Sequence, residues 1–202
     1  MDSGRLEAMS DGVIAIIITI MVLEMSAPVG AGFSDLLSMA PGFISYAIFF
    51  VLVGIYWNNH HHLLNLVQHV NGRLLWSNLL FLFVLSLVPV ATDWVDKTSF
   101  AALPTTTYVA LNLLVSLTYM NVQRVIAKNN IKKNSELFER LQSVDLTKER
   151  WTIALSLLAL VFSMVLPTSH LAFLPLIGAY ALWIVPDLRI VHALDHLCSE
   201  DD

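Results

Sequence analysis

Apolar positions along the chain gather into six long runs, near residues 5–26, 38–66, 73–94, 101–127, 150–167 and 169–192. A helix that crosses a bilayer needs about 20 residues of this kind, so each run predicts one span. Breakers separate them. Pro28 and Gly30 follow the first run, Pro41 opens the second, and the polar stretch from Asp93 to Lys97 ends the third. Pro167 and the short Thr168-Ser169-His170 turn fold the last two runs back as a tight hairpin. The pattern predicts an all-α integral membrane protein. It forms a single six-helix transmembrane domain over residues 1–202, with one sizeable loop at 128–149.

Composition points the same way. The chain is 56% hydrophobic and 13% charged, with a mean hydropathy of +0.69, whereas soluble domains average about 45–50% apolar and about 25% charged. A formal net charge of -5 supplies no basic stripe and argues against nucleic acid as a partner. Cys198 is the sole cysteine, which rules out an intrachain disulfide and any CxxC redox or metal motif. The first run reads as a retained span, because Asp2, Glu7 and Asp11 outweigh Arg5 where a secretory signal is positive.

Charge also orients the chain. With the N-terminus inside, Arg5, Arg73, Arg124, Lys128, Lys132, Lys133, Arg140, Lys148, Arg150 and Arg189 share the inner side, and Lys97 stands alone outside. That bias places both termini in the cytoplasm. The loop from Arg124 to Arg150 mixes these cations with Glu136, Glu139 and Glu149, as an ordinary cytoplasmic linker does.

The first run is short of apolar length. Its uncharged part, Gly12 to Leu23, covers roughly 18 Å of helix against a hydrocarbon core of about 30 Å. Arg5, Ser10 and Asp11 enter its opening turns. Intramembrane charges normally face the bundle interior and pair there. Arg5 and Asp11 lie about 240° apart around a helix and cannot pair with each other, while Glu7 and Asp11, four apart, repel. Partners must come from other spans. Trp57, His60 and His61 close the second run, Asn78 opens the third, and Asp187 and Arg189 end the sixth, all at one depth in this topology. Trp57 and His61 share a helix face, so either can donate to Asp11. The network is then either a staple that sets helix register or a participant in gating or proton sensing, since histidine titrates near neutrality.

A second face of the first run carries a different pattern. Gly12, Ile16, Thr19, Ile20 and Leu23 fall within one stripe of about 80°, and Glu24 sits just beyond. On a lone helix such a stripe meets lipid or a packed core. In a symmetric oligomer it stacks rings along an axis: apolar collars at Ile16 and Leu23, hydroxyls at Thr19 and carboxylates at Glu24. Hydrophobic collars gate by dewetting and acidic rings concentrate cations.

Several segments resemble one family. Arg5-xxx-Met9-Ser10-Asp11 followed by Gly-Val-Ile-Ala-Ile is similar to the RxxxFSD signature that opens the transmembrane protein 175 family, potassium-permeable channels of bacteria and animal lysosomes. The likeness continues through Tyr56-Trp57-Asn58-Asn59-His60-His61, through Asn78 to Thr92, and through Trp183-Ile-Val-Pro186-Asp187-Leu-Arg189. It implies a six-helix subunit without a re-entrant filter, and no TVGYG-type run is present here. One repeat resembles the bacterial form, a homotetramer in the cell membrane, the bacterial inner membrane, built around the first helices. The resemblance implies a tight collar at Ile16, potassium coordination or discrimination at Thr19, and a further collar at Leu23. Met9 stands where the family carries phenylalanine, which puts the tightness of gating in question.

The leading expectation is a passive potassium-permeable channel with no cofactor and no resident metal, K+ itself passing near Thr19. A proton- or metal-coupled cation transporter using Asp11 and His60, His61 and His62 is the alternative. A di-metal oxidase also needs several histidine boxes, whereas His69, His170, His192 and His196 are scattered singly, so no enzyme is expected.

Overall fold

The computed structural model describes residues 3–25, 27–67, 69–129, 147–166 and 170–184. In chain order they form α1 (Ser3–Glu24), a short α2 (Phe33–Ser38), α3 (Ala40–Asn65), α4 (Gly72–Ser86), α5 (Val88–Lys97), α6 (Ala102–Asn129), α7 (Thr147–Val165) and α8 (Phe173–Ile184). A single 3-10 turn, His170–Ala172, precedes α8. The Pro167 hairpin, the loop residues Glu136 and Glu139, Asp187, Arg189 and Cys198 lie outside the described residues. Among the described residues, four spans are long and apolar enough to cross a membrane: Ser3–Glu24, Ala40–Asn65, Gly72–Lys97 and Ala102–Lys128. The described α7 and α8 are shorter, at 19 and 12 residues.

Local chemistry sets the ends of these helices. Asn71 caps α4 by accepting from the Leu74 amide at 2.9 Å, which satisfies one of the four amides a helix start leaves open. Pro41 sits in the first turn of α3, where its missing N–H costs nothing. The third apolar run does not form one straight helix. It breaks at Leu87 into α4 and α5, because Pro89 has no N–H to continue the ladder to Leu85. Ser99 and Phe100 both take left-handed backbone angles, φ 50° and 62°, unusual for residues with a Cβ. The Phe100 amide is returned to the Val95 carbonyl at 3.0 Å, and its ring meets Phe173 edge-on at 5.5 Å. That bond and that contact hold the turn between α5 and α6.

α1 packs on α3 and α4, α4 on α6, α6 on α7 and α7 on α8. The α1 face turned inward is Leu6, Ser10, Ile14, Ile17 and Met21, a spacing of three and four that follows the helical period. Phe81 of α4 is fully buried at the centre, stacked on His60 at 5.4 Å and tilted against Tyr56 and Tyr119 at 5.8 and 5.4 Å.

Lipid tails are as apolar as leucine, so helix association in a membrane relies on close packing and interhelical hydrogen bonds. A polar set joins α3, α6, α7 and α8. Tyr180 donates to Asn112 Oδ1 at 2.6 Å, Trp183 donates to Thr152 at 2.8 Å, and Asn59 donates to the Trp183 carbonyl at 3.0 Å. Tyr56 and Ser116 share a hydrogen bond at 3.1 Å. Removing the hydroxyl of Tyr180 (Tyr180→Phe) leaves Asn112 Oδ1 without this donor. We expect a loss of about 1 kcal/mol, read as a lower midpoint of unfolding in detergent; an unchanged midpoint shows that the bond contributes nothing to stability.

Candidate functional site

The first turns of α1 meet the last turns of α3 and the start of α4, and there the polar residues converge. Ser10 is fully buried and donates to the Leu6 carbonyl one turn back, at 2.8 Å. Its oxygen receives Asn78 Nδ2 at 2.9 Å. The same Asn78 amide presents Oδ1 to His60 Nε2 at 2.7 Å. Because Nδ2 is committed as donor to Ser10, Oδ1 must accept, which assigns the proton of His60 to Nε2. Three helices are thus joined through one amide whose residue is fully buried, as is His60.

A more open group flanks this line. Trp57 Nε1 donates to Asp11 Oδ1 at 2.9 Å. His61 lies one turn on and stacks beside Trp57 at 6.0 Å. Its Nδ1 stands 2.8 Å from Glu7 Oε1, yet off the line of a hydrogen bond, so among the described residues this solvent-screened nitrogen has no hydrogen-bond partner. Its Nε2 lies 3.3 Å from Asn65 Nδ2. Of the two donors available to Asp11, Trp57 is therefore the one used, and His61 turns to Glu7. That pairing was legible only in part: Glu7 shares the face of Asp11 at four residues' spacing, a sign that both look toward α3. The three adjacent histidines do not act together. Consecutive helical residues diverge by about 100°, so His60 points into the core, His61 toward the carboxylates, and His62 to an edge contact with the His61 ring at 5.7 Å. Arg5 is exposed, and no described residue forms an ion pair with it.

The stripe of α1 lies on the opposite side. Gly12, Ile16, Thr19, Ile20, Leu23 and Glu24 are all exposed within the subunit, with Ile16 at 60% and Leu23 at 81% of full exposure. A Cβ on Gly12 would meet nothing within 4 Å. Thr19 donates its hydroxyl proton to the Ile16 carbonyl at 3.0 Å. With the proton spent on the backbone, the lone pairs of Thr19 are what the hydroxyl offers to a visiting group, an arrangement suited to a cation. Met9 is exposed as well, so it adds little to the packing of α1 on its neighbours.

Sequence reading passed over the second polar set. Asn112 and Ser116, four apart on α6, are buried and were the available signal, because an amide and a hydroxyl on one membrane-helix face require partners.

The family model for the endosomal/lysosomal potassium channel TMEM175 matches residues 5–89. A potassium channel of Chryseobacterium sp. is 42% identical over 194 residues, covering 96% of this chain and 98% of that one. A potassium channel of Chamaesiphon minutus is 37% identical over 98 residues, 45% of this chain and 48% of that one. The crystal structure of a lysosomal potassium-selective channel TMEM175 homologue from Chamaesiphon minutus has the same fold, with a TM-score of 0.71 at 24% identity over 93% of this chain and 97% of that chain.

The geometry ranks two substitutions. Asn78→Ala strips Ser10 and His60 of their shared partner in a fully buried place, and each group so orphaned costs about 1–3 kcal/mol. Asp11→Ala removes one bond at a more open place and leaves Trp57 without its acceptor, for about 1 kcal/mol. Unfolding midpoints in detergent should fall further for Asn78→Ala than for Asp11→Ala; the reverse order contradicts the central role of the amide.

Proposed function

This chain belongs to the TMEM175 family, and from that membership we propose that it is a passive potassium-permeable channel of the bacterial inner membrane. Four copies stand around a common axis, each presenting the stripe of α1 to it. Each subunit crosses the membrane six times as one domain with both termini cytoplasmic. The observation that carries this reading is the uncovered α1 face, where a glycine, a threonine with its proton already donated and an outer carboxylate interrupt the aliphatic residues. A face meant for lipid alone has no use for those polar groups.

The mechanism follows from the order of residues along the stripe. Glu24 lies at the outer end, where four carboxylates raise the local concentration of cations. Ile16 and Leu23 form apolar collars that exclude water when narrow, so ions pass only when the collars widen or wet. Thr19 lies between them and offers four oxygens to an ion that has shed part of its hydration, with Ile20 at the edge of the path. One hydroxyl ring compensates less dehydration than stacked carbonyl sites do, so the preference for K+ over Na+ is modest. No bond is made or broken, and the energy comes from the ion gradient.

The test is a planar-bilayer recording of the reconstituted protein with K+ and Na+ on opposite sides. Discrete current steps with a reversal potential displaced toward that of K+ are expected. Saturable uptake without current steps points instead to a coupled carrier. Ile16→Asn should raise basal K+ conductance severalfold, because an amide collar wets more readily than an aliphatic one. Unchanged current at equal protein incorporation removes Ile16 from the path.

A further inference from the structure

We propose that Glu7, Asp11 and His61 form a binding site for a first-row transition-metal dication of the Zn2+ class, bridging α1 and α3 within one subunit. One donor atom from each of the three residues lies within 4.8 Å of the other two, and all three side chains are half-buried. Zinc bound at about 2.0 Å to each donor spaces them by about 3.3 Å, a contraction that small side-chain rotations supply. The donors are also free for this use. Nδ1 of His61 faces the carboxylate of Glu7 without forming a hydrogen bond to it or to any other described group. Asp11 commits only Oδ1 to Trp57, which leaves Oδ2.

Charge argues for the same occupant. Glu7 and Asp11 lie one turn apart on the same helix and repel. A single imidazole carries at most one positive charge and does not balance two carboxylates, whereas a dication does. The surroundings already hold the ligands in place. Trp57 pins Asp11 through its indole N–H and stacks on the His61 ring. Asn65 lies at His61 Nε2 at 3.3 Å, and after a turn of its amide, whose O and N are not distinguished by geometry, it accepts the N–H of a metal-bound imidazole. Metal-ligating histidines and carboxylates are typically oriented by such partners. Two carboxylates and one imidazole suit Zn2+, Co2+ or Ni2+, with water completing the coordination, better than Mg2+, which prefers an all-oxygen octahedral shell. The site lies within one chain, so it does not depend on the tetrameric pore.

Calorimetric titration of the full-length, EDTA-treated protein in detergent with ZnCl2 tests the site, alongside MgCl2 as a control. One Zn2+ per chain is expected. Affinity should fall at least about tenfold in Glu7→Gln and in His61→Gln, and Mg2+ should bind at least about tenfold more weakly. Glu7→Gln guards against misfolding, since among the described residues His61 is the one ion-pair neighbour of Glu7; each variant is compared through its Zn2+-induced shift in melting temperature from its own EDTA baseline. The proposal is overturned by an absence of saturable uptake in the wild type, by equal affinity in both variants, or by Mg2+ binding as tight as Zn2+.

Discussion

The rotation of α1 about its own axis hangs on one amide. Asn78 accepts a hydrogen bond from His60 and donates one to Ser10, so α4 holds α3 and α1 at once. Any other rotation of α1 leaves Ser10 facing lipid and the Asn78 donor unpaired where no water can replace it. Hydrophobicity cannot set that rotation, because leucine and isoleucine are equally at home in lipid and in the bundle. Only a group that must find a specific partner can choose between faces.

Fixing one face of α1 fixes all of them. With Ser10 inward, Glu7 and Asp11 lie on the flank toward α3, and Gly12, Ile16, Thr19 and Leu23 turn away by roughly 180–240°. The polar cluster near the start of the helix and the aliphatic stripe along its length are two consequences of a single angle. A change that loosens the cluster therefore acts on the stripe without touching it. The flank shows how closely the chain manages charge at this end: one carboxylate is held by an indole and the other faces an imidazole across α3.

α3 is the shared wall. Its C-terminal turns meet α1 through Trp57 and His61 and α4 through His60, while Tyr56 and Asn59 reach the other way to α6 and to the described end of α8. The break at Leu87 separates α4, which carries Asn78 and Phe81, from α5, whose last turns hold the Asp93–Lys97 pair at 2.7 Å.

The sequence by itself determined that this is a helical membrane protein, where most spans begin, which residues could not be left to lipid, and which α1 positions share a face. Those follow from the helical period and from the cost of burying charge, both local properties. It also put Arg5, Ser10, Asp11, Trp57, His60, His61 and Asn78 into one network, because residues so expensive in a membrane must pair; Arg5 is exposed, with no ion pair among the described residues. Tertiary structure decided who meets whom: Trp57 rather than His61 bonded to Asp11, His61 beside Glu7 without a hydrogen bond, Asn78 between Ser10 and His60, and the set around Asn112 and Tyr180. Hydrogen bonds depend on angles and distances across helices far apart in the chain, and residue type and periodicity carry no record of those.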